Sequence, residues 1–180
     1  MKINLLSKWI VLMAALGLMI QCRTVTLSDL RAFHSPDSLQ LDVEFEKYPD
    51  MDCGPYAVYT LTQYYYPFKE IAPEPYLDYD MVWAYELVAS LRQAGLKAEL
   101  LQGNLTLLRE HLMNEDIPIV FIRRSRFRRY GHYVLFTGYD FEKGRVWLAD
   151  EEKDMELPLY TFLRAWERGN KYLISVTLPE

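Results

Sequence analysis

Cys53 is the residue in this chain best placed to act as a nucleophile. It lies in the stretch "DMDCGPY", and the only other cysteine is Cys22, so the two cannot form a scaffold of internal disulfides. The apolar and aromatic residues that follow recur at helical spacing, which predicts a helix beginning at Cys53 with Pro55 in its first turn. The positive end of the helix dipole would then stabilise a thiolate. The alternative is a small buried cysteine without a chemical role.

A thiolate needs a general base, and His132 is the candidate because it opens the strand-like run "HYVLFTGYD" after a glycine. A second strand-like run, "RVWLAD", follows a turn. If Tyr139 faces Arg145 across this hairpin, position 152 lies opposite His132 and Asp150 is its diagonal neighbour on the same face. A carboxylate there would orient the imidazole as the third member of a triad does. Geometry alone leaves Asp150 and Glu152 as rivals for this role.

The elements that must hold these residues resemble a known family in several ordered motifs. "DCGP", "GHYVLFTGYD" and "VWLAD" resemble the cysteine, histidine and aspartate motifs of the papain-like bacterial cysteine peptidases related to double-glycine leader peptidases, cysteine peptidase family 39. The segment between them is similar too, with a helix ending at Gly95, a strand, a second helix and a strand led by Pro118. The closing "FLRAWERGNKYLISV" resembles the last helix and strand of the family.

This resemblance implies an α+β papain-like fold, in which a helical portion carrying the nucleophile packs on an antiparallel sheet carrying the histidine and aspartate. It also implies Cys53 as nucleophile, His132 as base and acid, and Asp150 as the orienting carboxylate. The expected function is thiol-dependent hydrolysis of a peptide or protein substrate without a cofactor. Two alternatives remain open: a catalytically impaired binding module of the same fold, and an amidase or transpeptidase acting on cell-wall peptides.

One position departs from the family. Its members usually carry a glutamine six or seven residues before the cysteine, whose amide helps to stabilise the oxyanion, and this chain has Glu46 and Lys47 there. Loss of one oxyanion donor costs roughly 100- to 1000-fold in rate. Lys47 could donate in place of the glutamine, whereas an ionised Glu46 aimed inward would oppose the developing negative charge. The departure makes impaired catalysis an explicit alternative.

The N-terminus has the features of an export signal. Lys2 and Lys8 precede the apolar run "WIVLMAALGLMI", which is shorter than the about 20 residues that span a bilayer as a helix. Cys22 follows in "LMIQC", which resembles the bacterial lipobox whose cysteine is lipidated, although Gln21 stands where a small residue is usual.

We therefore expect three segments along the chain. Residues 1–21 are predicted to be a signal peptide, 22–40 a lipidated N-terminus and tether, and 41–180 the peptidase domain. The predicted location is the bacterial cell envelope, with the protein anchored to a membrane by its lipid outside the cytoplasm. Simple secretion is the alternative.

Composition and charge narrow the remaining functions. The chain has 180 residues and a net charge of -5, which suits one domain and argues against a nucleic-acid partner. The three histidines are scattered and no metal-ligand motif is visible, so no metal is expected. The arginine-rich run "RRSRFRRY" leads into the histidine strand, and Arg126, Arg128 and Arg129 are candidates for binding an acidic or phosphorylated group near the cleft. The alternative is a solvated loop.

Overall fold

The structure is a computed structural model, and it describes residues 36–73, 83–123 and 131–179. These residues belong to one compact unit, Ser35–Glu180. In chain order the elements are β1 (Ser38–Gln40), α1 (Cys53–Tyr65), α2 (Ala84–Gln93), β2 (Lys97–Gln102), α3 (Leu105–Met113), β3 (Ile119–Ile122), β4 (His132–Asp140), β5 (Arg145–Ala149), β6 (Asp154–Pro158), α4 (Leu159–Arg168) and β7 (Tyr172–Thr177).

The strands form one sheet in which every described pairing is antiparallel. The strand order is β2-β7-β3-β4-β5-β6, and β1 also pairs with β4. Strand β4 is central because its first half pairs with β3, its last residues pair with β1, and its other edge pairs with β5. The predicted α+β architecture with an antiparallel sheet is confirmed.

Alternate residues of the strands pack into two separate cores, because successive side chains of a strand point to opposite faces of the sheet. One core combines α1 and α2 with buried residues such as Tyr133 and Leu135 of β4. The other combines α3 and α4 with the intervening residues, Val134 and Phe136. Helices therefore cover both faces of the sheet, and α1 is fixed to β4 by apolar packing.

The middle of the chain follows the predicted order of elements. Helix α2 ends two residues before Gly95, whose φ of +99° is in the left-handed region that favours glycine. Strand β2 and helix α3 come next, and Pro118 directly precedes β3. The side chain of Asn104 caps α3 by accepting a hydrogen bond from the Leu107 N–H at 2.9 Å.

The segments predicted to precede the peptidase domain are described only in part. Strand β1 lies within residues 22–40, the predicted tether, and pairs with the end of β4, with Ser38 opposite Asp140. The predicted signal peptide and Cys22 lie outside the described residues. Within the described ranges, no helix combines the length and the apolar character that crossing a membrane requires.

Candidate active site

Cys53 is the first residue of α1, as the helical spacing predicted. Asp52 before it has an extended backbone, with φ −64° and ψ 148°, and its side chain makes no capping hydrogen bond to the first turn. Pro55 lacks an N–H, so it removes one of the unpaired donors of that turn. Gly54 and Pro55 are buried, while Cys53 itself is partly exposed as a free thiol. The thiol therefore faces accessible space beside amide groups that are free of a side-chain cap.

His132 begins β4, and its ring forms a short hydrogen bond with Asp150. Nε2 of His132 lies 3.1 Å from Oδ2 of Asp150, and the side chains are 25% and 4% exposed respectively. Because Asp150 occupies Nε2, the other ring nitrogen, Nδ1, is left for Cys53, with which His132 also interacts. The fold thus brings together the three residues that the sequence predicted for the triad.

The Asp150 carboxylate is fixed by its own turn. Its Oδ1 accepts hydrogen bonds from the backbone N–H groups of Glu152 and Lys153, at 3.0 and 2.9 Å. Burial raises the pKa of Asp150, but the hydrogen bonds from His132 and these two amides outweigh burial and lower it. Asp150 is therefore an ionised, oriented acceptor for the imidazole.

The charge state of His132 follows from its neighbours. Burial lowers the pKa of His132, but the hydrogen bonds to Asp150 and Cys53 outweigh burial and raise the pKa to about 10. The imidazolium form therefore dominates near neutral pH. An imidazolium beside the Cys53 thiol can give its proton to a departing group.

The register of the β4–β5 hairpin places Asp150 within reach of His132, but the pairing of the two strands differs from the predicted one. The predicted pairing of Tyr139 with Arg145 was wrong by one residue, since Asp140 faces Arg145. A register shift between Phe136 and Gly138, a β-bulge, then restores the predicted alignment, so that Leu135 faces Ala149. The two differences cancel at the site end of the strands.

Glu152, the geometric rival of Asp150, is exposed, and its backbone N–H rather than its carboxylate serves the site. A carboxylate that sequence reasoning missed is that of Glu151, whose Oε2 lies 3.9 Å from His132 Nε2. The alternation argument assigned residues 150 and 152 to the histidine face and 151 to the other face. Strand β5 ends at Ala149, so that argument did not apply to the turn.

His132, Asp150 and Glu151 each offer one ligand atom within 4.8 Å of the others, so this group could hold a cation. The sequence showed no such motif because two of the residues are adjacent and the third is distant in the chain. His132 Nε2 is already hydrogen-bonded to Asp150 in this arrangement, so binding of a cation there would compete with the triad.

Lys47, the predicted oxyanion donor, is held by the turn that carries Asp150. Its Nζ lies 2.7 Å from Asp154 Oδ1, 3.3 Å from the Asp150 carbonyl oxygen and 3.5 Å from the Tyr56 hydroxyl. Glu46 is exposed, and its carbonyl oxygen accepts a hydrogen bond from the Tyr56 hydroxyl at 3.2 Å. A role for Lys47 at the oxyanion would require its ammonium group to leave Asp154.

The remaining predicted site residues lie outside the described ranges. These are Arg126, Arg128 and Arg129, the candidates for substrate binding, and the candidate lipidation residue Cys22. Arg123, which precedes the arginine-rich segment, donates its backbone N–H to the Ala165 carbonyl oxygen at 2.9 Å.

The protein has a papain-like α+β fold in which a helix-borne cysteine lies beside a histidine that begins a strand and a carboxylate in the turn after the next strand. The Peptidase C39 family matches residues 46–177, and the chain belongs to this family. A search of the curated proteins finds no match.

Solved structures with the same fold include three peptidases. A double-glycine motif protease from an AMS/PCAT transporter, solved with its leader peptide, is 17% identical, with a TM-score of 0.57 over 78% of this chain and 94% of that one. The peptidase domain of Streptococcus ComA, a bifunctional ABC transporter involved in quorum sensing, is 15% identical, with a TM-score of 0.59 over 75% and 97%. A C39-like peptidase from Bacillus anthracis is 15% identical, with a TM-score of 0.64 over 81% and 100%.

Proposed function

We propose that the protein is a cysteine peptidase that uses Cys53, His132 and Asp150 as a catalytic triad. The observation that carries this proposal is the 3.1 Å contact between His132 Nε2 and Asp150 Oδ2, which leaves the other ring nitrogen available for Cys53, with which His132 also interacts. Membership of a peptidase family supports the reaction class.

The reaction proceeds in two halves. The Cys53 thiolate attacks the carbonyl carbon of the substrate amide, and the His132 imidazolium gives its proton to the departing amine, which leaves a thioester on Cys53. His132, now neutral, takes a proton from water as the water attacks the thioester carbon. The products are a carboxylic acid and Cys53, which forms the ion pair with His132 again. Asp150 holds the ring throughout and stabilises its charged form.

The oxyanion of each tetrahedral intermediate needs donors. The Cys53 backbone N–H at the start of α1 is one, because the first amides of a helix have no partner within the helix. The Lys47 ammonium is the proposed second donor. To act as this donor, Lys47 gives up its 2.7 Å hydrogen bond to Asp154.

A peptide is the proposed substrate, and the cell envelope is the proposed location. The structurally similar double-glycine protease was solved with a leader peptide, which supports a peptide substrate. The predicted lipid on Cys22 would anchor the domain to a membrane outside the cytoplasm, and Arg126, Arg128 and Arg129 would favour acidic residues in the substrate.

The test combines a thiol probe with turnover. The wild-type protein, a Cys53→Ala variant and a His132→Ala variant are treated with an electrophilic probe over a range of pH, and peptide cleavage is measured in parallel. We expect labelling of the wild type well below pH about 8.5, the pKa of an ordinary thiol. Labelling should disappear in Cys53→Ala and require high pH in His132→Ala. Labelling of the wild type only above that pH, unaffected by His132→Ala, contradicts the proposal.

A binding module without catalysis is the second candidate, and the position of Lys47 favours it. If the ammonium stays on Asp154, the site keeps an activated thiol but lacks one oxyanion donor. Such a protein would label rapidly with the probe yet fail to cleave amides. The same experiment therefore separates the two functions, since labelling and turnover would disagree.

A further inference from the structure

One carboxylate oxygen of Glu151, Oε2, is shielded beside the candidate triad and has no hydrogen-bond donor among the described residues. The side chain as a whole is 15% exposed. Among the described residues the nearest cationic group is the His132 ring, whose Nε2 lies 3.9 Å from Oε2 and also binds Asp150. A buried carboxylate oxygen without a donor is costly unless a nearby positive charge compensates for lost hydration.

The backbone holds Glu151 in this place. Its carbonyl oxygen accepts the Tyr48 N–H at 3.0 Å, and the preceding carbonyl, that of Asp150, accepts the Lys47 ammonium at 3.3 Å. Lys47 and Tyr48, which precede α1, therefore hydrogen-bond to the backbone of the two residues that carry the carboxylates. These contacts fix the backbone from which the Glu151 side chain reaches to within 3.9 Å of His132 Nε2.

The charges around His132 come from three parts of the molecule. Cys53 approaches from α1, while Asp150 and Glu151 approach from the turn after β5. In the part of the chain that the structure describes, Lys47 is a nearby cation, but its ammonium group is bound to Asp154 at the start of β6. The charge of Glu152 repels that of Glu151, although the Glu152 side chain is exposed. Two carboxylates therefore flank one ring nitrogen.

We propose that Glu151 is a second carboxylate partner of His132, a positioning residue that holds the imidazolium and widens the pH range over which the thiolate–imidazolium pair persists. The proposal rests on the triad proposed above. An opposite charge within about 4–6 Å shifts a pKa by roughly one to three units in favour of the charged form. With Asp150 alone, His132 would lose its proton at a lower pH than with both carboxylates present.

The role depends on the ionisation of Glu151 itself. Burial raises the pKa of Glu151, and repulsion from Asp150 and Glu152 adds to this, while the hydrogen bond from its own backbone N–H and attraction to His132 oppose it. As the pH falls, Glu151 takes up a proton and its support for the imidazolium ends. At higher pH Glu151 is ionised, and that is the range in which His132 would otherwise lose its proton.

The test is a direct NMR titration of the His132 ring in the full chain. Glu151→Gln removes the charge and keeps the shape, and we expect it to lower the pKa of His132 by about one unit or more. Glu152→Gln is the matched control, because it removes the same charge from an exposed neighbour in the same turn, and it should shift that pKa by far less. An unchanged pKa in Glu151→Gln, or equal shifts in both variants, overturns the proposal.

Turnover provides the second measurement. If the peptide is cleaved, the alkaline limb of kcat/KM should move to lower pH in Glu151→Gln by the same amount as the His132 pKa, and a limb that stays in place overturns the proposal. If the wild type labels at Cys53 but does not turn over, the peptidase function fails while the titration still decides the role of Glu151. If Glu151→Gln does not fold by circular dichroism, Glu151→Asp replaces it. A His132 pKa below that of the wild type then supports the proposal, and an equal pKa overturns it.

Discussion

At the scale of single residues, the contribution of each charged side chain to the site can be tested by substitution. Asp150 is nearly buried, holds His132 through Oδ2 and is itself held by two backbone amides through Oδ1. Asp150→Asn keeps these positions approximately but replaces an acceptor with an amide. We expect turnover to fall by orders of magnitude, because the ring loses the acceptor that fixes its tautomer and stabilises its charge.

The control for Asp150→Asn is Glu152→Gln, since Glu152 is exposed and only its N–H contacts Asp150. Kinetics and an NMR titration of His132 are measured for both variants. The pKa of His132, about 10 in the wild type, should fall in Asp150→Asn and stay nearly unchanged in Glu152→Gln. A mild effect of Asp150→Asn together with a severe effect of Glu152→Gln would reassign the third member of the triad.

Lys47 poses a second question at this scale, because its contacts offer it a different role from the predicted one. If Lys47 stabilises the oxyanion, Lys47→Ala should reduce kcat roughly 100-fold or more, and Asp154→Asn should preserve or increase activity by releasing the ammonium group. If Lys47 acts by bracing the turn of Asp150, both variants should reduce activity, since the 2.7 Å ion pair is then part of the brace.

Lys47→Gln sharpens the comparison, since a glutamine restores the residue type usual in the family and can donate to an oxyanion. Restoration of high activity by Lys47→Gln supports a donor role at this position. A loss of activity that equals the loss in Lys47→Ala shows that the length and charge of lysine serve the turn instead. Glu46→Gln is measured alongside, because Glu46 is the other residue at the departing position.

At the scale of elements, local signals in the sequence predicted most of the framework. The start of α1 at Cys53, the strand at His132 and the glycine after α2 all depend on short-range preferences, such as Pro55 in a first turn and positive φ at Gly95. These preferences act within a few residues and are therefore visible in the sequence.

Features that depend on long-range pairing were not predictable in the same way. The bulge between Phe136 and Gly138 depends on how β4 meets both β1 and β5, and the sequence of β4 alone does not locate it. Glu151 was missed because alternation holds within a strand and ends where the backbone turns. The positions of Asp150 and of Glu151 beside His132 therefore both depend on the turn after β5.

Helix α3 carries a buried histidine that makes the stability of the domain depend on pH. His111 is 8% exposed, its Nε2 has no hydrogen-bond partner, and Asp116 lies 4.0 Å from Nδ1. Burial lowers the pKa of His111. The unfolded chain therefore takes up this proton first, near pH about 6.5. The stability that His111 contributes is complete above that pH and is lost as the pH falls below it.

We expect His111→Leu to reduce this loss. The measurement is the difference in unfolding free energy between His111→Leu and the wild type at pH 7.5 and at pH 5.5, from urea titrations. Taking the difference cancels the contribution of His132, whose raised pKa acts in the opposite direction. Repeating the comparison with Asp116→Asn in both chains separates the effect of that carboxylate, whose pKa burial raises. A difference that is the same at both pH values contradicts the expectation.

At the scale of the whole molecule, the site exists only when the helical and sheet portions are packed together. Cys53 belongs to α1, whereas His132 begins β4 and Asp150 directly follows β5, and the apolar contacts of Tyr56 and Leu61 with the core that includes Leu135 join these parts. The candidate triad therefore reports on the integrity of the fold. Loss of the thiol's accelerated labelling is expected to coincide with global unfolding.

The predicted membrane anchor also belongs to this scale, and it can be tested independently of catalysis. If Cys22 is lipidated, the wild type should incorporate labelled fatty acid and sediment with membranes, because diacylation supplies two buried chains. Cys22→Ala should abolish incorporation and move the protein to the soluble fraction. Cys53→Ala is the matched control, since it removes the other cysteine and should leave anchoring intact.

Gln21 occupies the position where a small residue is usual, so Gln21→Ala should increase the processed fraction if this residue slows cleavage before Cys22. A soluble wild type whose mature N-terminus lies elsewhere would show instead that the apolar run serves simple secretion, and the peptidase would then act away from the membrane.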